Sequence, residues 1–591
     1  MDYDVSGKAY YPLLAVINGV CMGDCKLRFW NGDDGIVTEN FSGEEDAKLA
    51  EVTTNATDNV YAWRIGDNLT PEQAGALLSR YSRTALTGRR LYLKEFLPNK
   101  ARGREFFESW LVDYGDDSIQ EMAGGIPLSA EYISNVAAKE VEDSRMASYI
   151  EKSTRYVFFD KKLPDGEYMF YKDKDIMESR YNDRYLSLMR SLFDSYVKNM
   201  EAMQKHISDS NPYESQHFRI GDKTVSPSDL KESSEEQYGI TEQELKSAYA
   251  NATKANALDF MRDYLPMSVL THVGMSMNAR SYENVIFKMQ ASPLKECNSI
   301  GNRMHAELMK IAPSLIKRVG ERHGTEQVAF LREKFASAAD AVGEIALPEV
   351  AHASEGVSLA YFTGRESKTP DTEAQTVLAS AILYKFSEGL SMEQARQTVS
   401  DMGEEKRKKI IDAYVGKRTN RRNKPGRAFE NVEYTFDFFG RIGIYRDLQR
   451  HRIGTQERQP FTTKMGYNMR GEFEDVGISD DYKSKMAEVK TLHDDLHASM
   501  PYQSQYVVTF GFNTRWYYKV NARQFFHFSE LRTTPSGHPD YRKLVQDAYG
   551  KIKNVHPSIA AHMGFINLGD KKIGRLESEI RIVQKRKGIG K

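Results

Sequence analysis

Two segments far apart in the chain carry the same short pattern: MNARSYENVIFKM at 277–289 and VNARQFFHFSELR at 520–532. Each starts from Asn-Ala-Arg, runs on as an aromatic-rich helical pattern, and follows a proline-containing apolar stretch, DYLPMSVL in one case and SMPYQSQYVV in the other. Upstream, IQEMAGGIPLSAEYIS and AFENVEYTFDFFGRIG each set a glutamate, Glu121 or Glu430, before a strand-like segment and then an arginine-bearing helix. The order glutamate, strand, arginine helix, long helices, NAR helix therefore occurs twice. A sequence with this internal repetition is constrained to fold as two related halves.

Length agrees: 591 residues are too many for one ordinary core. The formal net charge of -1 gives no overall basic field, which argues against nucleic acid as a partner in spite of the basic stretches KRTNRRNKPGR and QKRKGIGK. No run approaches the roughly 20 apolar residues of a membrane span, and MDYDVSGKAYYPLL lacks the basic start of a signal peptide. Cys21, Cys25 and Cys297 are the only cysteines. Their odd number speaks against a disulfide framework and for a reducing cytoplasm, and no Cys/His pair elsewhere completes a metal site with Cys21 and Cys25.

The pattern along the chain predicts an α+β fold. Residues 1–70 read as a strand-rich extension, with YYPLLAVINGV and KLRFW as strands and NGDDG as a turn. The first half is expected over 71–315 and the second over 316–591. TPEQAGALLSRYSR opens on Thr70 as N-cap, with the nearby Glu72 as its capping-box partner. Long helices dominate thereafter, and NVEYTFDFF alternates as a strand. The polar, turn-rich stretch near 205–240 reads as an inserted loop or flap.

Together these elements resemble the flavin-dependent thymidylate synthases, most clearly over 75–160, 255–310 and 424–545. That family carries an R-H-R-x7-S signature, a glutamate upstream and an NAR helix ending in Leu-Arg downstream. The first half keeps the end of the signature, with Ser153 at the serine position flanked by Glu151, Arg155 and Tyr156, but has Asp143 and Ser144 before Arg145. The second keeps Arg450, His451 and Arg452 but has Pro460 in place of the serine. Leu531 and Arg532 match the family's Leu-Arg where the first half has Lys288 and Met289. Conversely, Arg262 and Asn284 match family residues whose counterparts in the second half read as His497 and His527. Each half thus keeps the portion of the site that the other has lost.

The resemblance implies two tandem domains, each a mixed sheet with long helices. It implies FAD as cofactor and methylation of dUMP to dTMP, with methylenetetrahydrofolate and NADPH as co-substrates. Because the family forms homotetramers with sites at subunit interfaces, a tandem chain is expected to form a homodimer mimicking that tetramer. Flavin contacts are implied for Ser118, Glu121, Asn278, Arg280, Asn284, Glu430, Arg450, His451, Arg452, Asn521 and Arg523, with Asp116 standing where the family has histidine. Glu151, Ser153, Arg155, Arg262, Arg450 and Arg532 are the implied nucleotide-binding residues, and Arg532 the catalytic one.

The chemistry of these side chains can be weighed by itself. Three charges in Arg450-His451-Arg452 would ordinarily be a solvated run, but the helix leading to them is apolar at Ile442, Ile444, Tyr445 and Leu448, so part of the cluster must approach packed structure. A guanidinium suits such a place because its planar fork binds phosphate or carbonyl oxygens bidentately and stays charged. Glu151, Ser153 and Arg155 on a turn could be an exposed cap with an ion pair; a hydroxyl, backbone amides and an arginine are also what a phosphate dianion needs. The NAR helices could be simple capped core helices. Arg532 could pair with Glu530 or Asp540; beside a uracil it would stabilise the anion formed when the ring is attacked. Three other functions compete: a flavoenzyme for another pyrimidine nucleotide, a non-catalytic nucleotide or flavin binder, and a nucleic-acid-binding protein.

Overall fold

The computed structural model describes residues 25–30, 35–108, 117–221, 223–230, 238–346, 348, 355–570 and 573–587. The chain is mixed helix and sheet, an α+β arrangement. Strands β1 (Cys25–Trp30) and β2 (Gly35–Phe41) form a hairpin; the expected strand at YYPLLAVINGV lies outside the described residues. The first main sheet contains β3 (Val60–Ala62), β4 (Ile126–Ser134) and β5 (Ser148–Glu151). A small hairpin of β6 (Phe218–Ile220) and β7 (Lys223–Val225) precedes β8 (Leu270–Met277), which completes that sheet in the order β3-β4-β8-β5. The second sheet takes β9 (Gly356–Phe362), β10 (Glu433–Arg441), β11 (Thr455–Arg458) and β12 (Asn513–Asn521) in the order β9-β10-β12-β11. Read outward from the edge strand, the two sheets have one topology. Residues 60–62, assigned by sequence to the extension, are the edge strand of the first sheet.

The helices that bear on the site are α1 (Asn135–Val141), α2 (Glu242–Met261), α3 (Ala279–Ala291), α4 (Arg322–Gly343), α5 (Ile442–Leu448), α6 (Ala522–Arg532), α7 (Pro539–Val555) and α8 (Leu576–Arg586). Local chemistry fixes the starts of the two NAR helices, α3 and α6. Asn278 and Asn521, the first residues of the NAR triplets, are N-caps that accept from the Ser281 and Gln524 amides at 2.9 and 2.8 Å. Thr70 caps its helix as expected, but its capping-box partner is Gln73 rather than Glu72, because only the third helical position reaches back to the cap amide.

The halves meet through reciprocal backbone bonds. The Met267 amide donates to the Val508 carbonyl at 2.7 Å, and the Phe510 amide to the Leu265 carbonyl at 2.9 Å. Matching bonds within each half run from Asn135 to Val269 and from Ile442 to Phe512. These mates relate β4-α1-β8 to β10-α5-β12 by an approximate two-fold axis, and they satisfy backbone groups that would otherwise be buried without partners. Counting back from β8 and β12, they set Arg262 opposite Gln505; the sequence pairing with His497 is off because it aligned the two prolines instead of the strands. One apolar cluster runs through both sheets, from Val60 to Met563, so the halves share a core.

The described residues of the 205–240 segment do not form a free flap. Tyr213, Phe218, Ile220, Val225 and Leu230 are buried together with Ile573, Leu576 and Ile580 from the far end of the chain. The sequence reading missed this because the apolar partners are remote.

Candidate active site

Helix α3 presents Arg280, Asn284 and Lys288, spaced four apart and therefore on one face, to a cleft of about 610 Å3. Asn278 at its N-terminus joins them, and Gln327 and Leu331 of α4 close one side. The other half contributes Gln449, His451, Arg452 and Gly454 and, from β11, Gln456 and Glu457, and Glu142 to Met146 also line the cleft. Five of the residues assigned to flavin, Asn278, Arg280, Asn284, His451 and Arg452, thus come together from both halves of one chain. Arg145 crosses the junction to donate to Thr455 Oγ1 at 2.9 Å, and Arg452 pairs with Glu121, which also accepts from Ser148 Oγ at 3.0 Å.

Apart from Glu121, paired with Arg452 of the cleft, the remaining flavin assignments lie elsewhere. Arg523 is 3.3 Å from Glu430 and donates to the Pro425 carbonyl at 2.9 Å, so Glu430, Asn521 and Arg523 form a local cap and ion pair away from the cleft. Ser118 falls in the turn Asp117–Ala123 with its side chain outside the described residues, as is Asp116 altogether. Arg450 points toward the nucleotide-assigned residues, 3.9 Å from Glu151.

Arg532 joins the cleft to that second group. Its Nε donates to His451 Nε2 at 2.7 Å, and its guanidinium lies 5.7 Å from the ring centre of Tyr541, whose hydroxyl is 3.4 Å from Arg155 Nη1. Burial holds His451 well below the usual imidazole range, and the nearby Arg532, His527 and Arg452 push the same way. A neutral ring with a free Nε2 lone pair is the acceptor this bond requires. The two acids considered from sequence are occupied otherwise: Glu530 pairs with Arg418, and Asp540 with Arg470 and Arg441.

Beyond Tyr541 the turn after β5 is tied down by charge. Arg155 N donates to Ser153 Oγ at 3.2 Å. The Arg155 side chain forks onto Asp259 of α2 at 2.7 and 2.9 Å. Arg262 reaches Asp447 of α5 at 3.2 Å and the Gly443 carbonyl at 2.9 Å. A Cβ on Gly443 would stand 3.1 Å from Arg262 Nε, so glycine leaves room for that approach. Burial would raise the Asp259 and Asp447 carboxyls; Arg155 and Arg575 at the first, and Arg262, Arg155 and Arg450 at the second, hold both well below the carboxylate range instead. Glu151 is enclosed: Arg446 of α5 donates to one oxygen at 2.7 Å and Lys139 of α1 to the other at 3.0 Å. Burial opposes its ionisation, but Arg446, Lys139 and Arg450 bring its pKa down to about 2. Glu151 thus links α1 of the first half and α5 of the second by charge.

Sequence reasoning missed Asp259, Asp447, Arg446 and Tyr541. The first two carried a signal, each standing three residues before a singled-out arginine, at or just past the end of a helix. Among the described residues, no helix is long and apolar enough to cross a membrane.

Known proteins resemble this chain over most of its length. The model of the family described as thymidylate synthase complementing protein matches twice, over residues 69–314 and 366–558. A UPF0159 protein of Chlamydia muridarum is 32% identical over 564 residues, covering 92% of this chain and 98% of its own. A UPF0159 protein of Chlamydia pneumoniae is similar at 32% over 563 residues, with the same coverage. One from Thermoplasma acidophilum is 31% identical over 520 residues, 87% of this chain and 99% of its own. The chain therefore belongs to the thymidylate synthase complementing protein family, as a divergent tandem duplication.

Proposed function

We propose that the protein is a flavin-dependent thymidylate synthase that methylates dUMP to dTMP with methylenetetrahydrofolate and NADPH, at a site drawn from both halves. The observation that carries the reading is the placement of Arg532, bonded to His451 on the cleft wall and lying over Tyr541, which touches Arg155. FAD fits the cleft by its donor set: Arg280 and Arg452 match a diphosphate, while Asn278 and Asn284 supply amides for a heterocycle edge. When bound, the reduced cofactor supplies the hydride, so no cysteine nucleophile is required. Cys297 accordingly is buried in the core and away from the cleft.

The chain's own residues bind, orient and stabilise charge. Ser153, Arg155, Arg262 and Arg450 hold the nucleotide phosphate and sugar. Arg532 faces the uracil, where a fixed guanidinium stabilises negative charge on the ring amide without reorganising. His451, neutral and accepting from Arg532, fixes the orientation of that guanidinium. The chain pairs with a second copy, and α4, with Phe330, Phe335 and Val342 each more than half exposed, is the face we assign to that pairing.

The test is a single turnover: enzyme carrying reduced FAD is mixed with dUMP and methylenetetrahydrofolate, and flavin reoxidation and dTMP are followed together. Reoxidation with stoichiometric dTMP is expected. Binding of flavin and dUMP without product would leave a nucleotide-binding protein instead.

A further inference from the structure

The stretch near 205–240, which the sequence resemblance left unexplained, packs on α8, which lies past the matched residues 366–558, and the segment entering α8 meets the turn of 153–156. Phe218 and Ile220 share a small core with Leu576 and Ile580, and Gln584 Nε2 donates to the Arg219 carbonyl at 2.6 Å. An isolated helix as short as α8 is marginal in water, so this hairpin is the platform that holds it. Immediately before α8, Arg575 is 2% exposed. Its Nη1 donates to the Arg155 carbonyl at 3.3 Å, and its Nη2 lies 3.5 Å from Asp259 Oδ2, the carboxylate that also clamps Arg155. Its guanidinium stands 4.5 Å from the ring centre of Tyr156, a ring that Arg83 approaches at 4.6 Å. Its Nε is buried without a hydrogen-bond partner.

The approach of this segment is enforced by backbone. A Cβ on Gly574 would fall 1.8 Å from the Pro535 carbonyl oxygen, so the chain is pressed against residue 535 just as it delivers Arg575. Two arginines sharing one carboxylate leave the turn with excess positive charge. A buried arrangement of that kind is costly unless an anion completes it, and a phosphate dianion is the group that matches.

We propose that the insertion and α8 form a clasp whose working residue is Arg575, a positioning residue that holds Arg155 and the 153–156 turn in the shape that takes the nucleotide phosphate. The inference rests on reading that turn as the nucleotide cradle. Arg575 acts through Arg155 and Asp259, so its loss weakens nucleotide binding while leaving the flavin cleft untouched.

The experiment compares full-length wild type with Arg575→Ala, Arg575→Lys and Gly574→Ala. Three quantities are read: dUMP affinity by calorimetry, KM and kcat for dUMP, and backbone amide exchange over 153–157. Loss of a charged hydrogen bond predicts that Arg575→Ala raises Kd and KM for dUMP about tenfold or more, with kcat at saturation and the flavin spectrum little changed. Exchange at the turn should quicken, Arg575→Lys should recover part of the affinity, and Gly574→Ala should reproduce the defect with the arginine still present. Gly574→Ala and Arg575→Lys decide the matter if Arg575→Ala does not fold. Wild-type affinity for dUMP in both Arg575→Ala and Gly574→Ala overturns the clasp. If wild type itself fails to bind dUMP, the nucleotide reading falls, and amide exchange alone judges the clasp: unchanged exchange overturns it, faster exchange upholds it.

Discussion

Arg446 of α5 donates to Glu151 at the end of β5 across 2.7 Å, joining the second half of the chain to the first. Arg458 at the end of β11, the counterpart of Glu151, pairs with Glu140 of α1, also at 2.7 Å, one residue past Lys139, the counterpart of Arg446. The first pair is buried and the second partly exposed, so the first carries most of the energy. Removing one partner of a buried pair leaves an uncompensated charge. Arg446→Ala should therefore lose about 3 kcal/mol of stability, the low end of the usual range because Lys139 still holds Glu151. The double variant Glu151→Met/Arg446→Met should be more stable than Arg446→Ala. Denaturant midpoints decide, and an Arg446→Ala midpoint equal to wild type would remove the pair from the account of how the halves associate.

A second bridge between the halves titrates near neutrality. Glu296 accepts from the Ser134 amide and hydroxyl at 2.8 and 2.6 Å and from the Tyr506 hydroxyl at 2.9 Å. Burial raises its pKa to about 7, from an ordinary 4.5, against the pull of those donors. A folded-state pKa raised above the unfolded value means stability that is full below about pH 4.5 and lost as pH rises through about 7. Glu296→Gln removes that titration. The stability difference between wild type and variant should thus fall from pH 5 to pH 8, with a slope of at most about 1.4 kcal/mol per pH unit. Parallel pH profiles for the two proteins would show that Glu296 does not titrate in this window.

Arg532 is expected to act on the transition state more than on binding. Its Nε is fixed by a neutral His451, while Glu530 is engaged by Arg418 and Asp540 by Arg470 and Arg441. Removing one such oriented donor typically costs on the order of 100-fold in kcat. Arg532→Ala should keep its flavin, keep dUMP affinity within a few-fold and lose turnover by about that factor. Arg532→Lys should not restore it, because an ammonium cannot reproduce the fork. Near-normal turnover in Arg532→Ala would end the assignment.

The repeat in the sequence was enough to anticipate paired halves because strand, cap and NAR helix are local patterns, and Asn278 and Asn521 do cap their helices. The division of signature pieces between Ser153–Arg155 and Arg450–Arg452 likewise anticipated that one region would draw on both. Partners set by tertiary packing were not legible. Nothing near Glu151 in sequence announces Arg446, and the apolar residues of the 205–240 segment look like loop until Ile573, Leu576 and Ile580 are placed on them. Glu430 and Arg523 carry the same residue types as their counterparts Glu121 and Arg280, but only structure shows that they bind each other.

The geometry also decides how two inactive variants should behave together. Arg155 and Arg450 come from different halves, yet Asp447 feels both, and Glu151, four residues before Arg155, lies 3.9 Å from Arg450 in the same chain. If this cluster forms the nucleotide site, Arg155→Ala and Arg450→Ala should each abolish turnover. A mixed dimer of the two would then hold one defect in every chain, and no chain would carry a whole cluster. Mixing the unfolded variants and refolding them together should accordingly restore no activity. Recovery toward a quarter to a half of wild type would mean that a site takes Arg155 from one chain and Arg450 from another, and that the intrachain cluster is structural. Substantial activity in either variant alone would mean that a complete site resides in one half, which the complementary losses at Pro460 and at Asp143-Ser144 argue against.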